Sequence, residues 1–150
     1  MKIRCATHED ISTLVAMRMA LLIEEGVSPS QEISTELHEY FKRELNTSIF
    51  SVVAELDEEI VATSAVIIQQ YPPSFSLPSG RRAYLANVYT MPHVRRQGIS
   101  TKLLDEIVHF LKARDIQSLW LWSASGGIEF YKRYGFKPFE SFETMTFKVI

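Results

Sequence analysis

The chain has 150 residues, a length that suits one domain able to bury a substantial core without disulfides or metal. Hydrophobic residues make up 46% and charged residues 23%, which excludes a disordered chain, and no apolar run approaches the ~20 residues of a membrane span. A net charge of -2 gives no general drive toward nucleic acid, so an anionic ligand has to be met locally.

The opening "MKIRCATHED" lacks the apolar core of ~7–15 residues that a signal peptide needs. It reads as a first strand, and a cytoplasmic location is expected. Cys5 is the only cysteine, which excludes an internal disulfide and a thiolate metal cage, and its apolar neighbours predict a small buried hydrophobe. Thr7, with Asp10 three residues on, predicts the capped start of a helix whose apolar face is Ile11, Leu14, Val15, Met19 and Leu22, with Gly26 ending it. A second helix is predicted from Ser28 as cap, Pro29 at the first position and Gln31 closing the box, with Ile33, Leu37, Phe41 and Leu45 as its stripe.

The period then changes. "SIFSVVAEL" and "EIVATSAVIIQQ" are rich in β-branched residues and meet at Asp57 and Glu58, which predicts a hairpin. "YPPSFSLPSG" is a loop, and "RRAYLANVYT" is a further strand. From Gly98 to Arg114, Ile99, Leu103, Ile107, Phe110 and Leu111 share one face of a helix. "SLWLWS" predicts a short central strand covered on both sides, with Trp120 and Trp122 in the core. A short helix over residues 126–134 follows, ended by Gly135, and the tail alternates Met145, Phe147 and Val149 against Thr144, Thr146 and Lys148 as a half-buried strand. The predicted order is β-α-α-β-β-β-α-β-α-β-β. It implies one α/β (α+β) domain over residues 1–150, a mixed, mainly antiparallel sheet with helices on both faces and one strand-helix-strand crossover near residues 85–122. The free edge of the last strand offers a way to pair as a homodimer.

The stretch "NVYTMPHVRRQGIS", residues 87–100, runs from a strand through two arginines and a glycine into a helix. The first amides of a helix lack intrahelical partners and attract an anion when the chain allows close approach. Gly98 permits that approach; Arg95 and Arg96 add charge; Gln97, Ile99, Ser100 and Thr101 offer backbone amides. Each part alone has a plainer reading, as a solvated arginine pair, a simple turn or a small first-turn residue. Their order gives all three one purpose, a site for a pyrophosphate. Neither the P-loop pattern nor the dinucleotide fingerprint is present.

With "FYKRYGF" some thirty residues on, this stretch resembles the acetyl-coenzyme-A-binding core of the GNAT superfamily of N-acetyltransferases. The resemblance spans most of the chain in element order and is specific over residues 84–136. The family pattern of Arg or Gln, two residues, Gly, one residue, then Gly or Ala falls on Arg95, Gly98 and Ser100, with Ser100 departing from it while remaining small. The next family segment usually offers an Asn, where this chain has Ser123, Ser125 and Gly127.

The resemblance implies acetyl-CoA as cofactor and a primary amine, on a small molecule or a peptide, as acceptor. It implies that Val88, Tyr89 and Thr90 hold the pantetheine arm, with the Val88 N–H facing the thioester oxygen. It places Tyr131, beside Phe130, near the coenzyme sulfur as general acid, and Tyr134 is the competing tyrosine. The general base stays open among Glu24, Glu25, Glu55 and Tyr84 acting through water. His93 reads as a surface residue, and His8, His38 and His109 match no metal spacing. The first two helices and the "YPPSFSLPSG" loop are expected to wall the acceptor pocket. The alternative is a non-catalytic acyl-CoA-binding sensor or interaction module; no nucleic acid or membrane partner is expected.

Overall fold

The computed structural model describes residues 1–123, 126–139 and 145–149. Its centre is the predicted hairpin: β2 (Ile49–Leu56) and β3 (Glu59–Gln70) pair antiparallel across Asp57 and Glu58, both of which take positive φ. A two-residue turn of that hand matches the right-handed twist of the strands it joins. β1 (Lys2–Cys5) adds to β2, and β4 (Arg81–Thr90) adds to β3, both antiparallel. β5 (Leu119–Trp120) pairs parallel with β4, giving the order β1-β2-β3-β4-β5.

The two faces are covered by different helices. α3 (Ile99–Lys112) buries Ile99, Leu103, Leu104, Ile107 and Leu111 against Val52, Ala54, Val66, Ala83 and Leu85. On the other face α1 (Ile11–Glu24) and α2 (Ser34–Glu44) bury Leu14, Val15, Met17 and Phe41 over Val53 and Ala65. The strand residues alternate between the two clusters, as a sheet covered on both faces requires. None of the described helices is long and apolar enough to cross a membrane.

Capping explains most boundaries. The Thr7 N–H donates to Asp10 Oδ2 at 2.7 Å, which starts a 3₁₀ turn that passes into α1. Gly26, at φ 81, ends α1, and the next amide, Val27 N–H, reaches back to the Leu22 carbonyl. α2 begins five residues later than the Ser28 cap predicts: residues 27–32 are exposed, with nothing to bury. Its first amide, Ser34 N–H, donates to Glu32 Oε1 at 2.6 Å. The short α4 (Ile128–Tyr134) ends at Gly135, at φ 123.

Four further expectations change. Cys5 is exposed, because β1 is an edge strand with its last residue facing solvent. β5 is two residues long, shorter than the strand expected, and among the described residues β4 is its one partner. The tryptophans are not core: Trp122 is 59% exposed, and half-buried Trp120 turns its indole N–H to Gln69 Oε1 at 3.0 Å. A half-buried position leaves an indole a polar partner that a sealed core does not supply. In the tail, residues 145–149 form no strand, and Met145, Phe147 and Val149 are all exposed. Alternation alone makes no strand without a neighbour to bond. The rest of the two predicted C-terminal strands lies partly outside the described residues.

Candidate active site

Two irregularities open the sheet beside β4. Thr63 pairs with Tyr89 and Ala65 with Ala86, so Ser64 faces both Asn87 and Val88, and Asn87 takes φ 53. This is a bulge, which bends the strand and raises its twist. On its other side β4 meets β5 only at Ala83 and Tyr84. From Leu85 onward that edge has no partner strand among the described residues. Met91 N–H donates to the Val61 carbonyl at 2.9 Å; by alternation, the Val88 and Thr90 amides turn the other way, into the gap.

The gap leads into a cleft of about 1470 Å³, large enough for an extended ligand and a second small one. Val88, Tyr89 and Thr90 line it, as do Arg95, Arg96, Gly98, Ile99, Ser100 and Thr101 at the start of α3, and Ser123, Gly127, Phe130 and Tyr131 beyond β5. Among the residues predicted from sequence, Gln97 contributes no lining side chain, and Ser125 lies outside the described residues.

The turn before α3 is shaped for an anion. Arg96 and Gly98 both take left-handed φ, 63 and 77, and alternating hands of this kind turn successive amides toward one concave side. A Cβ placed on Gly98 meets no protein atom within 4 Å, so the space above it is left for a ligand. Arg96 is exposed and its guanidinium is committed to no carboxylate among the described residues.

Arg95 behaves differently. Its Nη1 and Nη2 donate to Glu24 Oε1 and Oε2 at 2.6 and 2.7 Å, and its Nε donates to the Thr90 carbonyl at 2.8 Å. The side chain thus braces α1 against β4, and the hydrogen-bonded guanidinium lowers the Glu24 carboxyl below its usual range. Ser100 is likewise engaged, its Oγ 2.9 Å from Thr90 Oγ1. The sequence gives no local sign of either pairing.

The tyrosines separate cleanly. Tyr131 sits among Phe130 and Phe136 at ring distances of 5.1 and 5.5 Å and lines the cleft. Burial, then the nearby charge of Glu25 and Tyr84, pushes its phenol up to about 12. Tyr134 points away, its hydroxyl donating to Asp105 Oδ1 on α3 at 2.7 Å. The open candidates for a base separate too. Glu24 is held by Arg95, and Glu55 accepts from Arg4 at 2.6 Å near the β1 edge. Glu25 and Tyr84 line the cleft, and burial raises the Tyr84 phenol.

α1 and α2, the expected acceptor walls, line the cleft through Arg18, Leu21, Leu37 and Tyr40, with Glu25 at the C-terminal cap of α1. The predicted loop wall is absent: none of residues 71–80 lines the cleft. Tyr71 N–H donates to the Gly80 carbonyl at 2.7 Å, closing the loop at the far end of the β3–β4 hairpin, and Tyr71 stacks on Arg82. His93 is exposed outside the cleft. Arg18 and Tyr40 were not singled out by the sequence reading. One signal was there: Arg18 is the only charged residue between Ile11 and Ile23.

Comparison with known proteins places this geometry. The family model described as "Acetyltransferase (GNAT) family" matches residues 16–136. Among solved structures, a predicted acetyltransferase of Clostridium acetobutylicum, crystallised with acetyl-CoA, is 36% identical, with a TM-score of 0.90 over 97% of this chain and 95% of that one. A GCN5-related N-acetyltransferase from Ralstonia eutropha JMP134 is 22% identical, with a TM-score of 0.82 over 97% of each chain. A ribosomal-protein-alanine N-acetyltransferase from Brucella melitensis biovar Abortus 2308 is 15% identical, with a TM-score of 0.74 over 98% of this chain and 100% of that one. The last two show likeness of fold. No match is found among the curated proteins.

Proposed function

The chain belongs to the acetyltransferase (GNAT) family, and from that footing we propose that its cleft moves an acetyl group from acetyl-coenzyme A to a primary amine by direct attack in a ternary complex. The observation that carries the reading is the convergence, in one cleft, of the left-handed Gly98 turn, the open edge of β4 and the half-buried Tyr131. Bound there, the coenzyme supplies an activated acyl group: an N–C bond forms as a C–S bond breaks, the amine gives up one proton and the thiolate takes one.

The chain's residues divide the work. Arg96 and the amides of residues 97–101 hold the diphosphate at the N-terminus of α3, where unpaired N–H groups and the helix dipole favour negative charge. Tyr89, Thr90, Ser123 and Phe130 flank the arm. The Val88 N–H donates to the acyl oxygen as charge gathers on it, a contribution greatest where water is excluded. Arg95 keeps this end of β4 and the turn in register through the Thr90 carbonyl and contributes to the anion site by its backbone.

Tyr131, at about 12, stays protonated at neutral pH. Complete loss of its proton to a thiolate of ordinary pKa near ~8.5 is uphill by about 5 kcal/mol. The phenol therefore stabilises the departing sulfur by hydrogen-bond donation and hands over its proton only as one returns from the amine side. Glu25 fits the complementary role. It faces the cleft without a cationic partner among the described residues, and with the Tyr84 hydroxyl it draws the proton from the incoming amine, directly or through water.

The test is thiol release from acetyl-CoA over a panel of primary amines. Release matched by acetylated amine supports transfer. Coenzyme binding without release on any amine favours the other reading, an acyl-CoA-binding module.

A further inference from the structure

Resting on the transfer reading, we infer that Arg18 selects an acceptor that carries a carboxylate several bonds from its reacting amine. Arg18, Leu21 and Glu25 lie at i, i+3 and i+7, on one face of α1, and all three line the cleft. Seven positions of helix separate the two charges by ~10 Å along the axis. The cation therefore marks one end of the acceptor pocket and the carboxylate the other.

The hydroxyls between them report the same order. Tyr40 and Tyr84 feel the positive charge of Arg18, whereas Tyr84 and Tyr131 feel the negative charge of Glu25. Tyr84 stands between the two ends. The reacting centre is at the Tyr131 end, so the amine lies there and the anion lies toward Arg18 and Tyr40. Leu21, Leu37 and Ile67 line the pocket as well, an apolar wall suited to methylenes.

Arg18 has no structural partner that explains its place. It is half-buried on α1 with only apolar residues from Leu14 to Ile23 beside it, and it makes no hydrogen bond or ion pair among the described residues. A half-buried cation is costly unless paired, and an apolar residue at this position would pack without that cost. The other cleft arginines are otherwise placed: Arg95 is bound to Glu24, Arg96 sits at the turn before α3, and Arg133 is exposed on α4. A guanidinium fork matches a carboxylate in two parallel hydrogen bonds. One cation with two phenol donors suits a single negative charge better than a phosphate dianion.

The experiment compares 5-aminopentanoate with pentylamine, 1,5-diaminopentane, alanine and 3-aminopropylphosphonate as acceptors for the full chain with acetyl-CoA. The expected kcat/KM for 5-aminopentanoate exceeds that for pentylamine by about 10- to 100-fold. In Arg18→Gln the ratio collapses to about one, Arg18→Lys retains part of it, and Arg18→Glu turns the preference toward the diamine. A wild-type ratio near one, a preference for alanine or the phosphonate, or a ratio unmoved by Arg18→Gln overturns the inference. Calorimetry of 5-aminopentanoate on the coenzyme-A-loaded protein keeps the two readings apart. Absence of thiol release with every amine sinks the transfer reading, whereas binding that does not depend on the carboxylate and on Arg18 sinks this one.

Discussion

Both Nη atoms of Arg95 reach the carboxylate of Glu24, so the last residue of α1 is clamped to the turn that precedes α3. The neighbouring Glu25 is left facing the cleft. Both acids line the cleft, Glu24 tied to Arg95 and Glu25 without a cationic partner among the described residues.

Glu25→Gln should lower kcat by about 10²-fold, the usual size of a general-base contribution. Glu24→Gln should lower kcat much less. Because Arg95 is 36% and Glu24 49% exposed, that change should also cost less than about 1 kcal/mol of stability by thermal melting. Equal losses of kcat in the two variants would remove Glu25 from the mechanism.

Tyr131→Phe should reduce kcat by about 10²-fold while coenzyme A binds as before by calorimetry. Since the phenol is held at about 12, its ionisation should cause no loss of wild-type rate up to about pH 10. Tyr134→Phe, which loses only the Asp105 hydrogen bond at the surface, is the control. A larger kcat loss in that control would exchange the two roles.

Arg96→Ala should raise KM for acetyl-CoA about 10-fold with little change in kcat, the mark of binding lost equally from ground and transition states. Gly98→Ala should act on the same quantity by another route. Its Cβ enters the space reserved for the diphosphate and also strains a residue at φ 77, at a cost of about 1–2 kcal/mol. Unchanged coenzyme affinity in both variants would move the anion site elsewhere.

Arg4 grips Asp10 through two hydrogen bonds of 2.7 and 2.9 Å and Glu55 through two more of 2.6 and 2.8 Å. The guanidinium holds the Asp10 carboxyl down at about 2, so the unfolded chain binds more protons than the folded one between about pH 4 and pH 2. Stability from this pair is present above that window and lost as pH falls through it. Allowing for solvent screening at the sheet edge, the loss is at most about 1–2 kcal/mol. Asp10→Asn should remove most of that acid sensitivity in chemical denaturation at several pH values.

The elements that rest on neighbours in sequence were readable from it. The hairpin at Asp57 and Glu58, the helix stop at Gly26 and the strand-turn-helix around Gly98 formed as expected, because caps, turns and side-chain period are set within a few residues. The second helix was misplaced at its start because a good local cap at Ser28 had no apolar face above it to bury. Trp120 and Trp122 are not core as expected, because hydrophobicity does not say which side chains a neighbouring layer will cover.

The chain's own letters thus determined the period of the central hairpin and of α3, the left-handed turn before that helix and the family whose pattern the chain carries. Only the packed structure decided which of two adjacent glutamates is tied to Arg95 and which of two tyrosines on α4 lines the cleft. The reason is distance along the chain: Glu24 and Arg95 are 71 residues apart, and Tyr134 and Asp105 are 29 apart. Charge pairing and burial over such spans arise from how helices lie on a sheet, and no local pattern encodes them.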